Sequence, residues 1–146
     1  MPVAQRDTLR WPADGEGRSM KMRDYLEVKK GIGEFRPHGE TSLVEAVGLI
    51  TQAIAYCRVE RIEKLLVVTK GLVGVSIPTL VDRFLMVEDW AREAKGTLVA
   101  AMVANPQYIH PQKFGVQVAA EFGFVVDVFT SESEARQWLE NYELPE

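Results

Sequence analysis

Apolar residues recur along the chain at two alternating spacings, and these predict an order of elements. Leu43, Val47, Ile50, Ile54 and Cys57 fall at steps of four, three, four and three, which is one stripe of a helix, widened by Ala46 and Ala53. Ser42 with Glu45 three positions on is a capping-box pair that opens this helix. Residues 64–69 (KLLVVT) are then apolar at consecutive positions and β-branched, as in a strand covered on both faces. The motif repeats. Residues 70–75 form a Gly-containing loop, and Ser76 is placed to cap a helix whose first turn admits Pro78. Leu80, Phe84, Val87, Ala91 and Ala94 again step by four, three, four and three, and Gly96 closes that helix.

Residues 97–104 (TLVAAMVA) predict a second buried strand, broken at Asn105 and Pro106. Pro111 opens a third helix carrying Phe114, Val118 and Phe122, closed by Gly123. The last strand is expected at 124–129, and Ser131 with Glu134 caps a helix presenting Ala135, Trp138, Leu139 and Tyr142. Ahead of all this, Tyr25, Leu26, Val28, Ile32 and Phe35 alternate loosely with Glu and Lys around Gly31 and Gly33. That pattern predicts a bent strand or short hairpin with one wet face, followed by a turn at 37–39. Alternating strands and helices with short loops imply an α/β layer with a mostly parallel sheet. Residues 1–24 mix Arg, Asp, Gly and Pro and read as an extension of little structure, or a dimer arm, ahead of one domain over 25–146. Trp11 stands out in that extension as a side chain that would pin it to the domain or to a second subunit.

Composition narrows the chemistry. A length of 146 residues suits one domain that needs neither disulfide nor metal to hold it. The net charge of −4 argues against non-specific binding to nucleic acid or to an anionic membrane. With Cys57 alone there is no internal disulfide, no CxxC redox centre and no Cys-rich zinc site; His38 and His110 are the only imidazoles. No apolar run approaches the ~20 residues of a membrane-spanning helix, and no secretory signal is expected at the N-terminus. The expectation is a reduced, cytoplasmic protein without a cofactor.

In open parallel sheets, ligands sit beyond the carboxyl ends of the strands. Here that rim is made by residues 70–76 and 105–113, which hold Lys70, Gly74, Ser76, Asn105, Tyr108, His110 and Lys113. The glycines at 71 and 74 lack the Lys-Ser/Thr pair of a phosphate-binding P-loop, and no G-x-G-x-x-G follows a strand. His110 is either a base or anion ligand, or a locally packed loop histidine, and no second catalytic partner is placed beside it. Asp82, Arg83, Glu88 and Asp89 read as the solvated side of their helix, with Glu88 and Arg92 an i to i+4 pair. Cys57, on an apolar stripe, reads as a small core hydrophobe before a nucleophile. No catalytic or metal-binding constellation emerges.

Several segments together resemble a known family. They are residues 64–69 with Gly71 and Leu72; Asp82, Arg83 and Phe84; residues 88–91 (EDWA); residues 109–115 (IHPQKFG); and residues 128–135 (VFTSESEA) with Trp138 and Leu139. Over about Tyr25 to Leu139 the chain resembles the small STAS-like proteins, the SpoIIAA-like, STAS/SEC14-related group of bacteria. The resemblance implies a compact α/β domain with a mixed sheet flanked by about four helices, and no known reaction. Anti-anti-sigma members of the wider family bind a partner kinase and are switched by phosphorylation of a Ser at the start of the helix after the third strand. Ser76 stands at the matching place, with Val75 and Ile77 where the family carries Asp and Gly.

Two functional expectations follow. The first is a non-enzymatic regulatory module that engages a protein partner through the loop and helix start near Ser76. The second is a binder of a small apolar or lipid-like ligand, in a hollow lined by residues such as Phe84, Met86, Phe114 and Phe122. Homodimerisation is expected through the N-terminal extension or through an edge strand.

Overall fold

The computed structural model describes residues 20–145. Its main sheet has five strands in the order β1 (Leu26–Lys29), β2 (Ile32–Phe35), β4 (Lys64–Val68), β6 (Val99–Val103) and β7 (Val126–Phe129). A two-stranded sheet joins β3 (Gly39–Glu40) to β5 (Leu72–Val73). The helices are α1 (Leu43–Val59), α2 (Leu80–Ala94), α3 (Phe114–Glu121) and α4 (Glu132–Asn141). Strands β1 and β2 form an antiparallel hairpin with Leu26 opposite Phe35, turning through Lys30 and Gly31 at positive φ. The remaining pairs of the main sheet are parallel, with Glu34 opposite Leu66, Leu66 opposite Ala101 and Ala101 opposite Asp127.

From β2 onward the main sheet grows in one direction. Successive right-handed crossovers therefore lay their helices on one face. The contacts agree: α1, α2 and α3 share a core with Phe35, Leu65, Val67, Ala100 and Val126. Among the described residues the other face is covered by α4, whose Ala135 and Leu139 pack on Leu66, Val99, Ala101 and Val103. Alternate residues of β4 thus belong to opposite cores, the reason its sequence is apolar without a break. Met20 and Met22, ahead of Tyr25, already pack in the first core. Strand β1 lies at the sheet edge. Trp11 and the rest of residues 1–19 lie outside the described residues.

Two expectations about the first hairpin and the second helix are corrected. The hairpin does not have one fully wet face, because Glu34 on β2 is only 2% exposed. Its carboxylate accepts hydrogen bonds from Arg36 (2.9 Å) and Arg136, and both guanidiniums also bond Glu132 at the start of α4. This four-residue cluster clamps α4 to β2. On α2, Leu80 is 52% and Phe84 40% exposed, so the buried line runs through Arg83, Val87, Trp90, Ala91 and Ala94 instead. Thr79, not Ser76, is the cap: its hydroxyl accepts from the Asp82 amide (3.0 Å), and the Asp82 carboxylate accepts from the Thr79 amide (2.9 Å). Asp82 is therefore a capping residue rather than a free solvated acid. The Ser42 and Ser131 caps form as the sequence predicts, accepting from the amides of Glu45 and Glu134.

Candidate functional site

The carboxyl ends of β4, β6 and β7 open onto the two rim loops, and specific bonds hold those loops together. The Tyr108 hydroxyl donates to the Val75 carbonyl at 2.6 Å. The Arg83 guanidinium, from the first turn of α2, donates to the Tyr108 carbonyl at 3.0 Å. The first loop is fixed at its base by β5, which pairs in parallel with β3. There the backbones approach closely: a Cβ on Gly71 would come 2.9 Å from the His38 Cβ, and one on Gly74, held at φ +90°, 3.0 Å from the Thr41 carbonyl oxygen. Residues 70–75 are thus not a simple loop. Two-residue strands leave no periodic signal, so the sequence does not disclose them.

Ser76 is exposed, in the irregular segment between β5 and the Thr79 cap. Around it Val73, Ile77, Leu80 and Val81 are each more than half exposed. Phe84, one turn along α2 from Leu80, sets its ring 5.8 Å from that of Phe122 at the end of α3. Single exposed apolar residues are ordinary, whereas here a run of them covers one loop and one helix start.

Beneath the rim, between the sheet and α1, α2 and α3, lies a cavity of about 140 Å³. Of the expected rim residues, Tyr108, His110 and Lys113 line it; Lys70, Gly74, Ser76 and Asn105 do not. Lys70 donates to the Thr130 carbonyl near the start of α4, and the Asn105 carbonyl accepts from the Tyr108 amide at 3.0 Å. Lys113 pairs with Asp127 at 2.8 Å, and His110 Nδ1 accepts from the Gln112 amide at 3.1 Å. Of the aromatic and Met side chains expected around a hollow, only Met86 lines this one. Phe84 and Phe122 face outward, and Phe114 packs on the core edge beside His110.

Arg83 is the site residue the sequence reading passed over. It sits four positions before Val87, on the helix line that turns out to be buried, and is 9% exposed in the cavity wall. Burial lowers its affinity for its proton, an effect opposed by the neighbouring Asp82 charge. Cys57, by contrast, is fully buried, and burial pushes its thiol up to about 11. At neutral pH it is a thiol, not a nucleophile. Among the described residues no group of three or more His, Cys, Asp or Glu side chains is placed to hold a metal ion. No helix among them is long and apolar enough to cross a membrane.

No family model matches the sequence, and no curated protein does. Solved structures do match. The crystal structure of an anti-sigma factor antagonist from Mycobacterium paratuberculosis has a TM-score of 0.51 at 15% identity, over 80% of this chain and 92% of that one. The unphosphorylated anti-sigma factor antagonist SpoIIAA gives 0.47 at 18% identity, over 80% of this chain and 97% of its own. The NMR structure of the protein TM1081 gives 0.49 at 11% identity, over 89% and 98%. The fold is STAS-like, an α/β domain with a mostly parallel mixed sheet and four flanking helices.

Proposed function

We propose that this chain is a non-enzymatic regulatory module whose working surface is the loop and helix start around Ser76. The observation that carries the reading is the run of exposed apolar side chains, Val73, Ile77, Leu80, Val81 and Phe84, on both sides of that serine. Apolar surface of this kind is stabilised when a partner covers it. The protein of similar fold from Mycobacterium paratuberculosis is described as an anti-sigma factor antagonist, and a protein partner is the matching expectation here. Because Thr79 does the capping, the Ser76 hydroxyl is left for the surface, and a phosphate there would add roughly two negative charges within the apolar run. A reduced cytoplasmic setting, and self-pairing along the β1 edge, belong to the same reading.

The test uses quantitative affinity capture from native lysate with wild type, Ser76→Asp and Phe84→Glu. A protein retained by wild type and lost from both variants, with unchanged thermal unfolding, is the expected result. Identical capture by all three removes the surface from consideration. Light scattering of the full chain measures the assembly state.

A second reading is favoured by one observation, the apolar cavity beneath the rim. Its walls include Ala46, Val47, Ile50, Met86, Val87 and Trp90, and it reaches the exposed Lys113. A small apolar ligand suits such walls.

A further inference from the structure

We infer that the cavity takes a small ligand with a compact apolar body and a single carboxylate, and that the carboxylate meets the Arg83 guanidinium. The inference rests on the second reading above and names the ligand class for that site.

Size sets the body. An apolar cavity of about 150 Å³ accommodates benzene. At about 140 Å³, this one holds a ring or a branched short chain, and a long acyl chain would not fit within it.

Charge sets the head. Buried cations are ordinarily paired, since taking an ion out of water is costly unless an opposite charge meets it. Arg83 is 9% exposed, yet no carboxylate among the described residues forms an ion pair with it. The acid next to it in the chain, Asp82, has its carboxylate committed to the Thr79 amide. A guanidinium carries five N–H donors in a planar fork, and the bond to the Tyr108 carbonyl occupies one nitrogen. Among the described residues the cavity walls contain no Asp or Glu, whereas Arg83, His110 and Lys113 all contribute to them. Lys113 is already met by Asp127, so it adds little net charge. With Nδ1 accepting from the Gln112 amide, a neutral His110 carries its proton on Nε2 and is a donor.

A carboxylate fits this donor set better than a phosphate. One guanidinium fork matches two carboxylate oxygens. A phosphate dianion calls for a cradle of free amides, and at the start of α2 the capping box already takes the Thr79 and Asp82 amides.

The experiment follows the methionine methyl signals of the full chain by NMR. The sequence has 5 Met, and two of them, Met86 and Met102, line the cavity. Phenylacetate, its neutral isostere phenylacetamide, and acetate are titrated in parallel. The expected result is saturable movement of the Met86 and Met102 signals by phenylacetate, about tenfold tighter than by phenylacetamide. Acetate, which lacks the body, should move them little. In Arg83→Gln the acid and the amide should bind within about twofold of each other, because the charge-assisted bond is gone. Equal binding of acid and amide by wild type overturns the carboxylate assignment while leaving a ligand cavity in place. No movement of either signal by any probe at millimolar concentration overturns both. Should Arg83→Gln fail to fold, the acid and amide comparison in wild type decides alone.

Discussion

The phenolic hydroxyl of Tyr108 reaches across the rim and donates to the backbone carbonyl of Val75, 33 residues earlier, at 2.6 Å. This bond joins the segment after β6 to the segment carrying Ser76, and Arg83 holds the same tyrosine from below through its carbonyl. Tyr108→Phe keeps the ring and deletes the bond. The expected loss is about 1 kcal/mol in urea unfolding, the net worth of one such hydrogen bond. Hydrogen exchange should quicken at residues 72–77, and α4 should be unaffected.

The helix start separates Thr79 from Ser76. Thr79→Ala removes a side-chain cap and should lower stability by about 1 kcal/mol. Ser76→Ala removes an exposed hydroxyl that caps nothing and should stay within about 0.5 kcal/mol of wild type. Thermal unfolding of the two variants side by side checks the pair. A larger cost at Ser76 would return the cap to that residue.

Acid should release α4 from β2. Hydrogen bonding from Arg36, reinforced by the charges of Arg36 and Arg136, holds Glu132 at about 2 despite the opposing effect of burial, against an ordinary 4.5. Glu34 moves the same way: burial pulls its carboxyl up, and the bonds from Arg136 and Arg36 outweigh that pull. A carboxylate whose folded value is depressed contributes stability that is complete above the unfolded value and is lost as pH falls through the folded one. Stability should therefore decline between pH 4.5 and about 2, following the Glu132 shift. Glu132→Gln should be less stable at neutral pH and lose less across that window, as read by denaturant unfolding at stepped pH.

The sequence is explicit where one element decides a residue's environment. Leu65, Leu66 and Val67 are apolar because both sheet faces are covered, and Ser42 and Ser131 announce their helices through local bonds alone. It is silent where the environment is assembled from distant segments. Glu34 looks like a solvent-facing residue in its own strand, and α4, about a hundred positions on, covers it and adds the Arg136 guanidinium to that of Arg36. The α2 stripe holds at Val87, Ala91 and Ala94 and fails only at its first two positions, for a related reason. Leu80 and Phe84 satisfy helical spacing to Val87 as well as Arg83 and Trp90 do, and tertiary packing rather than periodicity selects the second pair. The rim was legible as a place, because parallel strands dictate it. The lining of the expected hollow was not, apart from Met86, since its walls come from three helices, both loops and the sheet.

That α4 is the one helix among the described residues on the second sheet face has a consequence for biosynthesis. A nascent polypeptide that has emerged only as far as Thr130 already holds every strand and the three helices of the opposite side. Leu66, Val99, Ala101 and Val103 would meanwhile form a bare greasy wall, because Ala135 and Leu139 have yet to leave the ribosome. That exposure ends only when all of Glu132–Asn141 has emerged and docked, so this face of the sheet is the last to be closed.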